Sequence, residues 1–319
     1  MAFTVSDLTN YVHENEDRIL RASIFGAKTI SMIETMVGVK SSEKLTTLTS
    51  NAQFQADSGC SYNSSGSTTF SERTMTVSKI MVQETLCPED LEAKFLQRKV
   101  QAGSTHDQLP FEQFIVEQKV KNINKNLEMA VWQGDSSQTY NTNLKQFAGL
   151  LKQISDAGTA VDGNTSGATS ITSSNAITLL QNMYNVIPAD VLGADDLKCF
   201  VGWDTFRLIV TNLINNNWFH YQPGGAADAG EIVIPGLNIP VVAVHGLNAS
   251  NDSALPTSKK NRMIMARTSN LYFGTDLLNE EENFDIWYSK DNQNIKLSAK
   301  FKAGTQIAFP TEIVQYTNA

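Results

Sequence analysis

The sequence predicts an α+β protein in which an N-terminal arm and an extended two-stranded loop precede one long helix, and a mixed α/β domain is then closed by further strands. Three observations predict it. Residues 110–133, PFEQFIVEQKVKNINKNLEMAVWQ, carry the longest uninterrupted helical pattern of the chain. Two stretches of period-two alternation, around 52–57 and 74–78, flank a polar tract and read as strands. From Ser174 onward short helical and strand patterns alternate, as in a mixed α/β layer.

The arm comes first. Leu8, Tyr11, Val12, Ile19, Leu20, Ile24 and Phe25 recur at approximate helical spacing over residues 6–36, broken by Gly26, which suits an arm better than a domain. In the next stretch Ala52, Phe54 and Ala56 alternate with Gln53, Gln55 and Asp57, and Met75 and Val77 alternate with Thr74, Thr76 and Ser78. Between them DSGCSYNSSGSTTF, residues 57–70, holds too few large apolar side chains to build a core and is too long for a tight turn. Two readings stand: a floppy loop, or a two-stranded arm ordered only by a neighbouring molecule, since an isolated hairpin is marginal in water.

Residues 87–103 read as a short helix, with Glu89, Asp90 and Glu92 at the positive end of its dipole, Arg98 and Lys99 at the other, and Gly103 as the stop. The long helix follows. Val116, Val120, Ile123, Leu127, Ala130 and Val131 form one apolar stripe, while Glu112, Glu117, Lys121, Lys125 and Glu128 fall elsewhere on the cylinder. Pro110 suits a first helical position and Gly134 a left-handed stop. At about 1.5 Å per residue the helix spans about 36 Å. Residues 134–151 form a polar excursion that returns to an apolar strand start, and 155–174 a Gly/Ser/Thr-rich connector.

Ala176, Ile177, Leu180, Met183 and Tyr184 mark a helix closed by Pro188, 197–201 a strand, and 203–214 a second helix. Residues 232–234 and 240–244 are strands around the turn at Pro235 and Gly236, and 263–266, 271–273 and 284–288 are further strands. Near the end Ile295, Leu297, Ala299 and Phe301 alternate with Lys296, Ser298, Lys300 and Lys302. One face is thus expected to be buried and the other, through the three lysines, strongly basic.

The 319 residues, 41% hydrophobic and 18% charged, suffice for one large or two moderate cores. A formal charge of -8 with no dense basic run argues against a basic nucleic-acid-binding surface. Glu14, Glu16 and Asp17 stand where a secretion signal needs a basic start and an apolar run, so none is expected. Apolar runs such as 240–244 are too short to span a bilayer, so no membrane partner is expected. Cys60, Cys87 and Cys199 show no CxxC spacing, which argues against a disulfide framework or zinc site and for a reducing compartment. His13, His106, His220 and His245 are scattered, and no HExxH, P-loop or GxSxG string occurs, so no catalytic residue, metal site or cofactor is assigned. The acidic run Glu280, Glu281 and Glu282 reads as a solvated turn rather than a cation site. The triplets at Asn63, Asn164, Asn248 and Asn251 carry no meaning as glycosylation sites without secretion.

In this order the elements resemble the major capsid protein of tailed bacteriophages, the Hong Kong 97 type fold. The spine helix of that family commonly ends in Gly-Asp, followed after a polar loop by Gly-Leu, and Gly134, Asp135, Gly149 and Leu150 are similar. A strand and helix with an aromatic at their junction match 200–203 and Leu208, GLNIPVV over 236–242 is similar to a "G-x-P-V" strand start, and Phe273, Gly274, Thr275 and Asp276 to "FGD"-like text. The resemblance implies an N-terminal arm over 1–45, an extended loop over 46–88, a peripheral domain over 89–154 with its spine helix at 110–133, an axial domain over 155–283, and closing strands of the peripheral domain over 284–319. It implies spine-core residues Val116, Val120, Ile123 and Leu127, and an inter-subunit loop tip at Ser58, Gly59, Tyr62, Gly66 and Phe70.

The function implied is structural and non-enzymatic: self-assembly through pentamers and hexamers into an icosahedral head shell. A scaffolding protein, portal and decoration proteins are the expected partners, and double-stranded DNA is enclosed without sequence-specific binding. The location implied is the virion capsid, assembled in the host cytoplasm. The arm and loop begin almost at Met1, where relatives often carry a long scaffolding segment that is cut away, so a separate scaffolding protein is expected. The cross-linking branch needs a loop lysine, and none occurs between Lys44 and Lys79, so covalent chain-mail is not expected. Two other classes compete: an encapsulin-like nanocompartment shell on the same fold, and a soluble α/β enzyme. The long Ser/Gly/Thr-rich tip favours a viral shell over the compartment.

Overall fold

The computed structural model describes residues 26–57, 59–60, 64–87, 111–139, 141–217, 230–234, 236–248, 261–276, 283–291 and 293–318. The arm before residue 26, Ser58, Tyr62, the helix expected over 87–103, Pro110 and the acidic run 280–282 lie outside the described residues.

In chain order the elements are β1 (Glu34–Val37), β2 (Ser42–Asn51), β3 (Ser67–Thr76), β4 (Ser78–Leu86), α1 (Phe111–Gln133), α2 (Leu150–Ala157), β5 (Val161–Asp162), α3 (Ala176–Asn185) and the short α4 (Ala189–Leu192). Then come β6 (Leu197–Gly202), α5 (Trp203–Asn215), β7 (Glu231–Val233), β8 (Pro240–Val244), β9 (Met263–Arg267), β10 (Leu271–Thr275), β11 (Asn283–Ser289), β12 (Asn294–Ile307) and β13 (Val314–Tyr316).

The fourteen-residue β12 organises the first sheet. Its residues 295–300 pair at once with β11 and with β4, so those two strands flank it on opposite edges, while its last residues pair with β10, to which β1 adds in parallel. The second sheet runs β5-β13-β9-β6-β8-β7, with β6 and β8 parallel. Sequence placed all of 284–319 with the peripheral strands, whereas Val314–Tyr316 pairs with β9 in this second sheet.

The second sheet is a wall between two cores, and the period of two decides which side each residue serves. Cys199, Val201, Val241, Ala243, Met263 and Met265 face α3 and α5, packing on Leu180, Met183, Ile209 and Leu213. Their neighbours Phe200, Val242, Val244, Ile264 and Ala266 face the other way, into the core shared with α1. Such two-sided burial explains why these strands read as continuous apolar runs.

The C-terminal turns of helix α1 are enclosed in that core. Val116, Ile123 and Leu127 are buried and Val120 half-buried, as the stripe predicts, but from Leu127 to Gln133 every side chain is enclosed, Glu128 included. This corrects the placing of Glu128 on the polar side: the last two turns run between elements that are distant in sequence, so no face is left for solvent. Gly134 does not take the left-handed conformation expected of it. It is needed for close approach instead, because a Cβ there would stand 2.4 Å from the Ala130 carbonyl oxygen and 2.6 Å from that of Phe147. The apolar residues after Gly149 form helix α2, burying Leu150, Leu151 and Ile154 at helical spacing, and not the strand that was expected.

Candidate assembly surface

Strands β2 and β3 pair antiparallel over ten residues each, from Ser42 opposite Thr76 to Asn51 opposite Ser67. At about 3.4 Å per residue the ribbon is about 34 Å long. Its root is a small core of Val39, Met75 and Val77, against which Met36, Leu45 and Tyr272 pack. The root lies on β12 so closely that a Cβ on Gly304 would meet the Thr76 carbonyl oxygen at 2.2 Å. Beyond the root both faces are open to solvent.

The outer half of the ribbon carries large apolar side chains. Leu48 sits directly opposite Phe70, 55% and 72% exposed, and Phe54 beyond the strand end is fully exposed. Exposed apolar clusters of this kind mark association surfaces. Around them the ribbon is polar: Lys44 pairs with Glu72 near the root, the Ser50 and Thr68 hydroxyls meet at 3.2 Å, and the Gly59 N–H donates to the Asp57 carboxylate at 2.9 Å in the tip turn. Of the five tip residues expected from sequence, Phe70 lies on β3, Gly66 directly precedes that strand, Gly59 lies in the irregular segment beyond β2, and Ser58 and Tyr62 lie outside the described residues. Sequence reasoning began the first strand at the Ala52, Phe54, Ala56 alternation and left 57–70 as loop, whereas 52–57 is irregular and 67–70 is strand. Leu48 and Phe54 were therefore missed as surface residues; the run of Ser and Thr flanking Leu48 was the available signal.

The segment leading to the ribbon is locked onto the spine helix. The Thr29 N–H donates to Glu128 Oε2 at 3.0 Å, the Thr29 hydroxyl donates to Glu128 Oε1, and Trp132 Nε1 donates to that hydroxyl at 2.7 Å. Trp132 also stacks at a tilt on Phe200, with ring centroids 5.2 Å apart. Burial pushes the Glu128 carboxyl above its ordinary range, and the two Thr29 bonds with the nearby Lys28 charge pull it only partly back. Just past the same end of the helix the Gly149 N–H donates to the Gly134 carbonyl at 2.9 Å and the Asp135 N–H to that of Leu144 at 2.8 Å. The residues singled out as Gly-Asp and Gly-Leu thus meet and close one loop.

The basic face of β12 is smaller than its alternation predicts. Lys300 is exposed and Lys296 half-buried, but Lys302 is 5% exposed and bonded to Asp276 Oδ2 at 2.7 Å. Beyond Phe301 the ribbon root lies against β12, with Gly304 under the Thr76 carbonyl and Gln306 Nε2 donating to that of Thr74, and every residue of β12 from there on is buried, so the alternation stops. On the opposite face a groove of about 370 Å³ opens between β4, β12 and α1, lined by Ile80, Val82, Ile123, Leu127, Leu297 and Phe301, with Lys119 bonded to Glu84 at its rim. Among the described residues no group of His, Cys, Asp and Glu could hold a metal ion, and no helix is long and apolar enough to cross a membrane.

No protein-family model and no curated protein matches the chain. Solved structures do. The protein of the satellite phage P4 procapsid that includes the size determination (Sid) protein shares 11% identity at a TM-score of 0.60, over 94% of this chain and 90% of that one. The capsid of Myoviridae phage XM1 gives 12% identity and 0.56 over 90% of each chain. A Mycobacterium phage Ogopogo structure gives 14% identity and 0.56 over 92% of each. At such identities the likeness concerns fold, and the chain has the fold of phage capsid proteins over 90% or more of its length.

Proposed function

We propose that the chain is a major capsid protein, the subunit whose copies associate into the icosahedral head shell of a tailed bacteriophage. The observation that carries the reading is the ribbon. It is about 34 Å of paired strand that buries almost nothing in its own chain yet exposes Leu48, Phe54 and Phe70, mounted on a fold shared with phage capsid structures. A hairpin so exposed is marginal alone and gains its partners between chains.

The role is structural. The spine helix and the sheet around β12 form a rigid plate, the α/β domain over about 155–283 contacts its copies around five-fold and six-fold axes, and heterologous interfaces of this kind close into rings. A scaffolding protein, portal and decoration proteins complete the assembly. Double-stranded DNA is enclosed without sequence-specific binding, consistent with a formal charge of -8. The shell is built in the host cytoplasm and ends in the virion. Negative-stain microscopy of the chain expressed with its scaffolding partner, combined with an assay for nuclease-protected DNA in infected cells, tests this. Closed shells holding DNA are expected. Shells holding an enzyme instead would indicate a nanocompartment, and a chain that stays monomeric at high concentration with its scaffold would refute shell building altogether.

A further inference from the structure

We propose that the ribbon is one-sided as an interface: the face carrying Leu48 and Phe70 is covered by a second copy of this chain, while the opposite, Ser/Thr face stays in water. The proposal rests on the shell reading and adds to it the side of the ribbon that the neighbour takes. Successive side chains of a strand point to opposite faces, and the register of β2 on β3 places all even-numbered residues of both strands on one face and all odd-numbered residues on the other. Every even-numbered residue from Ser42 to Ser50 and from Thr68 to Thr76 is exposed. On the odd face Met75 is buried in the root core, and Leu45, Thr47 and Arg73 are half-buried. The odd face is therefore the one turned toward its own chain at the root, and no described residue of that chain covers the even face anywhere along it.

The even face has the composition of a contact. Leu48 and Phe70 sit opposite each other, the hydroxyls of Ser50 and Thr68 meet beside them, and the only two charges of the face, Lys44 and Glu72, are bonded to each other. Covering it takes apolar surface out of water and strands no net charge. Beyond Arg73 the odd face holds Ser and Thr with the single amide of Asn51. Covering that face would withdraw hydroxyls from water and bury no large apolar group. In a shell each ribbon reaches another copy, so that copy is the occupant, and the contact is heterologous: ribbon on one side, a different surface on the other.

The test compares neighbouring positions on the two faces. In a background with Cys60 and Cys87 replaced by Ser, single cysteines are placed by Ser50→Cys and Thr68→Cys on the even face and by Thr49→Cys and Thr69→Cys on the odd face. All four sites are exposed and leave Leu48 and Phe70 in place, and the buried Cys199 serves as the silent internal reference. Labelling by a small disulfide reagent is followed by mass spectrometry in the unassembled chain and in shells, before and after the scaffolding partner is extracted. In shells, positions 50 and 68 are expected to label at least about tenfold more slowly than in the unassembled chain, and positions 49 and 69 within about twofold of it. Equal slowing at all four, slowing at 49 and 69 alone, or none at any would overturn the face assignment. Slowing at 50 and 68 that vanishes when the scaffold is extracted would overturn the second copy as occupant. A cysteine that blocks assembly is also a readout: loss of shells at 50 or 68 with normal shells at 49 and 69 supports the assignment, and the reverse overturns it. These outcomes, seen with shells formed by the parent chain, leave the shell reading standing, whereas a parent chain that forms none refutes both.

Discussion

Lys302 and Asp276 form a buried ion pair where the β12 alternation would have put an exposed lysine. Removing one partner of such a pair leaves the other charge uncompensated, so Lys302→Met is expected to lower unfolding stability by about 3–5 kcal/mol. Replacing both, as Lys302→Met with Asp276→Leu, should recover most of the loss, and urea melts of the two variants check this directly. Thr29 is the other residue on which buried groups depend. Thr29→Val removes a donor to Glu128 and the acceptor of Trp132 Nε1. At about 1–3 kcal/mol for each of the two orphaned groups, a loss of about 2–6 kcal/mol is expected in the same measurement. Cys199, buried between β8 and β9 with its thiol pushed well above the ordinary range, should stay unreactive until the chain unfolds.

Helix α1 is the element on which both cores depend, since its enclosed end touches the wall between them and the sheet built on β12. Leu127→Asp puts an unpaired charge into that enclosure at a cost of several kcal/mol, comparable with the whole stability of a domain. Loss of soluble, cooperatively melting protein is expected, by circular dichroism on the purified variant. The helix was legible because its stripe, from Val116 to Val131, repeats over about four turns. Strands β6, β8 and β9 were legible because burial on both faces makes them uniformly apolar. What stayed hidden depends on neighbours distant in sequence. Glu128 and Lys302 look solvent-facing until the segment around Thr29 and the residue Asp276 arrive beside them. The ribbon strands were only half legible, because a strand exposed on both faces has no apolar side to alternate, and its Ser and Thr residues resemble loop. The surface carried by Leu48 and Phe54 was hidden for the same reason.

At the scale of the molecule, a ribbon that serves no core of its own makes a separable prediction about assembly. Between Lys44 and Lys79 it holds no lysine to attack a neighbour, so shells dissociated in hot detergent should run as single chains of 35.1 kDa and show no covalent ladder. The sharper test shortens the ribbon. Replacing residues 48–70 by Asn-Gly joins Thr47 to Ser71, which already face each other across the strands, through a two-residue turn that suits their twist. The cut removes Leu48, Phe54 and Phe70, all exposed, and leaves the root of Val39, Met75 and Val77 intact. Since no described core residue is lost, the unassembled variant should melt within about 1 kcal/mol of the parent chain, the scale of surface changes away from buried features. Its shells should not form, because the deleted area is the part with no partner inside the chain. Differential scanning calorimetry of the unassembled protein and electron-microscopic counts of closed shells after scaffold addition give the two readouts. Unchanged melting with absent or malformed shells is the expected pair; normal shells would reduce the ribbon to ornament and withdraw the observation on which the shell reading rests.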